Sequence, residues 1–347
     1  MPPVRFALAG FGAWGRHHAK SIFENPDAQL VAISAPSEAS RAEAAQLYPR
    51  AQVFADSLEM IAQAEFDIID IATPSYTHRE IALAAMEKGK HVLLEKPMAI
   101  TLEDCKAIVA GAERYNVRLA VGHELRLSSQ WGEIKNIIRR GTIGDPQYVL
   151  VELSRKPYRL GAGGWRYDQS RVGSWVLEEP IHFFDLARWY LEDSGDPVEL
   201  YAYGKSRDAQ RADLFDNFSA MFKYANGSYA VVSQTLAAFE HHQTVKVSGT
   251  KGALWAGWSG ALDRTLEPSY FLKVFDGENL EEVNITKHSG EVFELREEIA
   301  QSVAMVRHGT KPIATGTDGL WSAGLCLVAE ESIRQGRPLP VADLLKF

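Results

Sequence analysis

The segment Gly10-Phe11-Gly12-Ala13-Trp14-Gly15 carries three glycines at G-x-G-x-x-G spacing, directly after the apolar run Val4–Ala9. In a loop that holds phosphate each glycine has its own task. Gly10 would make the tight turn, Gly12 would let the backbone approach a pyrophosphate, and Gly15 would let the next helix pack closely on the strand. The start of that helix then offers unpaired N–H groups to the anion. The spacing points to a dinucleotide, with Phe11, Ala13 and Trp14 as further loop contacts. A plain glycine-rich turn is the alternative, and the strand before the loop and the helix after it argue against that. NAD binders carry an acid about 20 residues further on, which holds the ribose 2′-hydroxyl. That position here is Ala35, within Val31-Ala-Ile-Ser-Ala-Pro-Ser37, where no carboxylate stands. Ser34, Ser37 and Arg41 could instead hydrogen-bond a 2′-phosphate, although Ser37 could equally cap the next helix. The expected cofactor is NAD or NADP, with a slight lean to NADP.

Such a loop needs a sheet behind it, and the surrounding sequence supplies one. Strand-like runs at Val4–Ala9, Leu30–Ser34, Asp67–Ala72, His91–Leu94 and Arg118–Val121 alternate with helical stretches at Ala13–Glu24, Glu38–Leu47, Ser57–Ala62, Tyr76–Lys88 and Leu102–Tyr115. Runs such as Phe66-Asp-Ile-Ile-Asp-Ile-Ala72 do not alternate cleanly, which suits parallel strands covered on both faces. Thr101-Leu-Glu-Asp104 resembles a capping box, and Gly89 stands where a helix would end. The pattern predicts a doubly wound parallel α/β sheet. Composition limits the rest. Of 347 residues, 37 are Lys or Arg and 45 Asp or Glu, a net charge of −8 that disfavours nucleic-acid partners. No run approaches the ~18 apolar residues of a membrane span. The two cysteines, Cys105 and Cys326, form no disulfide framework or zinc motif, and the N-terminus lacks a signal-peptide pattern. A reduced, cytoplasmic setting is expected.

Two later segments add specificity. Ile71-Ala72-Thr73-Pro74-Ser-Tyr-Thr-His78 follows one strand, and His91-Val-Leu-Leu-Glu95-Lys96-Pro97 ends the next. With the glycine loop, their order and spacing resemble the glucose–fructose oxidoreductase / inositol dehydrogenase / MocA family, over essentially the whole chain. Glu178-Glu-Pro180-Ile-His182-Phe-Phe-Asp185 is similar to that family's Asp-x-Gly-x-His segment, with Glu178 in place of Asp and Pro180 in place of Gly. The resemblance implies an N-terminal Rossmann domain over 1–124. It also implies a substrate-binding and oligomerisation domain over 125–347, built on a large, mostly antiparallel open sheet. It implies hydride transfer between a nicotinamide and a secondary alcohol of a sugar, sugar acid or inositol-like polyol. Ala72, Thr73, Pro74, His78, Glu95 and Lys96 would then border the cofactor, and Lys96 and His182 the reacting carbon. The family's Lys–Pro peptide is often cis. Pairing through the open sheet face suggests a homo-oligomer, a dimer or tetramer.

A secondary alcohol releases hydride only as its proton leaves, so a base near neutral pKa is required. His182 meets that requirement, and Lys96 would polarise the oxygen or relay the proton. The plain alternatives are a core histidine and a solvated lysine. Glu178 is a further catalytic candidate, to orient His182 or grip a substrate hydroxyl. His123, Arg126, Trp165, Arg166 and Trp175 are candidate substrate contacts, with Trp175 either a platform for a sugar face or simply core. Arg155, Lys156, Arg159, Arg166 and Arg171 lie near a single acid, Asp168, and most of them read as a solvated loop. Spacing gives no metal site: Glu179, His182 and Asp185 do not converge on one helix face, and His241 and His242 point to opposite faces of a strand. His17 and His18 read as structural. Further on, a linking helix is expected at Ser128–Arg140. Strands are expected at Gln147–Ser154, Val198–Lys205, Asn217–Tyr224, Tyr229–Leu236 and Thr244–Ser248, and helices at Glu294–Arg307 and Leu320–Arg334. Two other activities fit parts of the pattern. One is a glycosidase acting by transient oxidation and elimination; the other is a non-catalytic dinucleotide sensor.

Overall fold

The computed structural model describes residues 1–342 and 344. The chain divides into two compact units, Met1–Glu124 with Glu294–Leu320, and Leu125–Phe293 with Trp321–Phe347. The sequence suggests a contiguous second domain over 125–347, whereas Glu294–Leu320 return to the first unit. The reason is apolar: Ile299, Val303 and Met305 fill the same buried cluster as Phe6, Leu8, Ile22 and Leu30. Val121 N–H also donates to the Ala314 carbonyl at 3.1 Å.

The first unit holds β1 (Val4–Ala9), α1 (Gly15–Glu24), β2 (Ala28–Ser34), α2 (Glu38–Leu47), β3 (Gln52–Phe54), α3 (Ser57–Gln63), β4 (Ile68–Ile71), α4 (His78–Glu87), β5 (His91–Glu95), α5 (Leu102–Arg114) and β6 (Leu119–Gly122). The strands pair in parallel in the order β3-β2-β1-β4-β5-β6. The order reverses between β1 and β4, the place where doubly wound sheets open a crevice at the carboxyl ends of their strands. Side-chain caps set several helix starts. Asp56 accepts from Leu58 and Glu59 N–H, and Thr101 Oγ1 accepts from Asp104 N–H at 3.1 Å. The short β3 is absent from the sequence reading, since three residues carry no periodicity.

The second unit begins with α6 (Trp131–Arg139) and β7 (Pro146–Arg155), then three helices, α7 (Gln169–Val172), α8 (Trp175–Glu178) and α9 (Pro180–Tyr190). Strands β8 (Pro197–Lys205), β9 (Asn217–Tyr224), β10 (Tyr229–Thr235), β11 (His241–Gly249), β12 (Ala253–Gly260), β13 (Ser269–Phe275) and β14 (Leu280–Glu282) follow, then α10 (Glu291–His308), α11 (Gly316–Gln335) and β15 (Leu339–Pro340). Among the described residues the sheet runs β14-β13-β12-β11-β7-β10-β9-β8-β15, and only β7 with β10 is parallel. α9 covers one face, its Phe184 stacked against Phe218 and Phe222 of β9. The opposite face is wet and apolar, with Tyr203, Met221, Tyr229 and Trp255 exposed. Tyr224 N–H bonds the Ser228 carbonyl, closing the expected hairpin turn, with Gly227 at φ +90°.

Candidate functional site

The three loop glycines separate by what surrounds them. A Cβ on Gly10, at φ +98°, would lie 2.7 Å from the Ala72 carbonyl oxygen, and one on Gly15 2.0 Å from the Gly10 oxygen. Both are glycine because the protein itself leaves no room. A Cβ on Gly12 would meet nothing within 4 Å. Its missing side chain serves something outside the chain, and an approaching pyrophosphate fits that space. The first turn of α1 holds no acidic residue to compete with an anion. Ala13 is exposed, whereas Phe11 is buried in the core, so its backbone alone can serve the loop.

Around the second ribose position the structure revises two expectations. Ser34 is buried and its hydroxyl bonds that of Ser57 at 2.8 Å, which removes it from phosphate recognition. Ser37 caps α2, accepting from Ser40 N–H at 3.4 Å. Arg41 folds back over the turn, its Nη1 donating to the carbonyls of Ala35 and Pro36 at 2.9 and 2.7 Å. A guanidinium thus sits beside the end of β2.

The loops after β4 and β5 are tied together by His78. It is fully buried, with Nε2 2.8 Å from the Thr73 carbonyl and Nδ1 3.1 Å from that of Pro97. Burial holds its pKa below the usual histidine range, and a neutral ring has a single N–H, which can donate to one of these two carbonyls. Thr77 Oγ1 donates to Pro74 O at 2.8 Å and braces the same turn. The Lys96–Pro97 peptide is cis. Trp14 Nε1 donates to Glu95 Oε1 at 2.9 Å. Within the first unit the structure therefore gathers the glycine loop, the Ala72–Pro74 turn and Glu95–Lys96 at one end of the sheet. His123 also belongs to this unit and is buried.

The second unit reassigns most of the expected substrate contacts. Arg126 is buried and bidentate to Asp185, with both nitrogen–oxygen distances 2.7 Å. The two form a buried, charge-assisted pair. Trp175 is a core residue among Tyr158, Val172, Leu214 and Leu236, and its indole N–H donates to the Arg166 carbonyl at 2.8 Å. Glu178 is engaged by the Arg166 guanidinium, which also lies over the Trp165 ring. Glu179 pairs with Arg155 through Oε2, and its Oε1 lies 3.1 Å from His241 Nε2. His182 is buried in the first turn of α9, its backbone N–H on the Glu179 carbonyl. The sequence reading missed Asp70 and Glu298, both buried in the first unit. A signal existed for Asp70: an acid inside the otherwise apolar run Ile68-Ile-Asp-Ile needs a buried partner.

Residues 4–123 match the family model described as "Oxidoreductase family, NAD-binding Rossmann fold", and residues 131–255 match the GFO/IDH/MocA C-terminal domain. Fold and loop thus define an NAD-binding oxidoreductase with a Rossmann unit. The chain belongs to the GFO/IDH/MocA family. It is 28% identical over 346 residues to an inositol 2-dehydrogenase of Rhizobium meliloti, covering 98% of this chain and 99% of the relative. It is 25% identical over 348 residues to a myo-inositol 2-dehydrogenase of Thermotoga maritima, covering 99% and 100%. In fold it matches an oxidoreductase from Agrobacterium radiobacter in complex with NAD+, L-tartaric acid and magnesium, with a TM-score of 0.84 at 20% identity over 99% of both chains.

Proposed function

We propose that this oxidoreductase acts on a secondary alcohol of a neutral sugar or inositol-like polyol, with Lys96 and His182 handling the proton. The observation that carries the reading is the open space over Gly12 at the same sheet end as Lys96. When bound, a nicotinamide dinucleotide supplies the hydride acceptor. Gly12 and the start of α1 hold its phosphates, and the Thr73 and Pro97 loops, fixed by His78, border it. Lys96 lowers the pKa of the substrate hydroxyl by its charge, and His182 accepts the proton. A neutral substrate is favoured over a sugar acid because Arg126 and Arg166 already face carboxylates of the chain itself. The names of the inositol dehydrogenase relatives support a polyol. The turn after β2 has no acid and is covered by the guanidinium of Arg41 from α2, which supports NADP over NAD.

The exposed sheet face with Tyr203, Met221, Tyr229 and Trp255 supports self-association as a dimer or tetramer, which light scattering on dilution would measure. Two buried cysteines, neither in a disulfide, support a reducing, cytoplasmic setting. The central test is a panel of inositols, sugars and sugar acids with NAD+ and NADP+ separately, followed by the appearance of reduced nicotinamide. Reduction with a neutral polyol is expected, faster with NADP+. Dinucleotide binding without turnover of any secondary alcohol would refute the reading.

A further inference from the structure

Beneath the glycine loop lies a set of buried ionisable groups that the proposed chemistry does not use. His18, on the inner face of α1, is fully buried, with Nδ1 2.7 Å from Asp70 Oδ2 and Nε2 3.0 Å from Glu95 Oε1. The same Glu95 oxygen accepts the Trp14 indole N–H, and its other oxygen accepts the Lys96 backbone N–H at 3.1 Å. Carboxylates at both ring nitrogens call for a proton on each, and the two acids hold the His18 pKa well above its usual range despite burial. Glu95 in turn stays below the usual carboxylate range: its burial is outweighed by His18 and Lys96. Glu298 completes the set, its carboxyl pushed well up by burial and by Glu95. Buried charge clusters usually stabilise less than apolar packing of the same volume, so this one is better explained by the geometry it imposes. Its two outlets are Trp14, inside the dinucleotide loop, and the backbone of Lys96.

We propose that His18 is a positioning residue: acting through Glu95, it locks Trp14 of the glycine loop and the strand end bearing Lys96 into one arrangement, so that dinucleotide affinity depends on a histidine sealed in the core. The chain of contacts is His18 to Glu95, then Glu95 to Trp14 and to Lys96. Removing His18 takes away one of the two positive groups that hold Glu95 charged, together with the hydrogen bond that fixes its Oε1 against the indole. Removing only the indole N–H breaks the same chain at its far end.

Titration of the full-length protein with NADH and NADPH, followed by fluorescence, tests this in Trp14→Phe, His18→Asn and the double variant. It reads affinity rather than turnover, so it is independent of which alcohol is the substrate. A hydrogen bond to a charged group is worth enough that each single change should weaken binding by about tenfold. The double variant should lose little more than either single one, since both act through Glu95. Thermal melts and circular dichroism report folding alongside. A folded His18→Asn protein with wild-type affinity, losing only stability, overturns the proposal. If His18→Asn does not fold, Trp14→Phe decides: its half-buried ring keeps most of its volume, and wild-type affinity there overturns the proposal too.

Discussion

Gly12 is the loop glycine that the protein's own packing does not explain, and that makes it the sharpest probe of the cofactor. In Gly12→Val the new side chain enters open space, so melting should be unchanged while dinucleotide affinity falls more than ~100-fold, or about 3 kcal/mol. Calorimetric titration of the folded variant measures this, and retained binding would remove the loop from the cofactor site. His182→Asn keeps shape but removes the base, so the hydride step in single-turnover kinetics should slow ~10²–10⁴-fold with dissociation constants little changed. Lys96→Met should do the same, and the double variant should lose less than the product of the two. Near-wild-type rates in either would shift suspicion to His123 or Glu178. At this scale the sequence made residue types legible and their partners illegible. The glycine loop and the Glu95-Lys96-Pro97 strand end were readable because short-range spacing defines them. The partners of Arg126 and Trp175, Asp185 and the Arg166 carbonyl, were not readable because only the fold brings them close. The Ser57 hydroxyl beside Ser34 was hidden for the same reason.

Elements were legible where periodicity was strong. Apart from β3, the strands and helices of the first unit fall within a few residues of the expected bounds, because buried parallel strands between amphipathic helices leave a repeated pattern. β12 escaped: Gly257 and Gly260 interrupt its apolar pattern, and Gly257 sits where a Cβ would press on the Phe271 ring of the neighbouring strand. α11 was expected, but not the titration hidden in it. Burial pushes the Glu330 carboxyl up to about 7, with Ser174 and Arg334 offsetting only part of the penalty. A carboxyl whose pKa is higher folded than unfolded binds its proton more tightly in the native state. Its stabilising effect is therefore complete below about 4.5 and declines as pH rises to about 7. Glu330→Gln removes that decline. The variant should gain on the order of 2–3 kcal/mol over wild type between pH 4.5 and pH 7.5, read from denaturant midpoints across that range. A constant difference across pH would mean that the carboxyl titrates normally.

Over the whole molecule, two sheets of opposite character were foreseeable, one parallel and one mostly antiparallel. The passage of the chain between the units was not. Helical periodicity at Glu294–Arg307 shows that a helix exists, and nothing in an apolar stripe says which core it will enter.

That passage has a consequence for how the protein is made. A ribosome delivers the chain in order, and the dinucleotide-binding unit lacks Ile299, Val303 and Met305 until roughly three hundred residues have been synthesised. The nascent first unit must wait with part of its core exposed, so its maturation is tied to completion of the polypeptide. A fragment ending at Glu124 should accordingly bind a hydrophobic dye and melt without a cooperative transition. Supplying residues 294–320 on a separate peptide should restore cooperativity, measured by calorimetry. A cooperative, dye-silent fragment would show that the late segment is an addition to the core rather than a part of it.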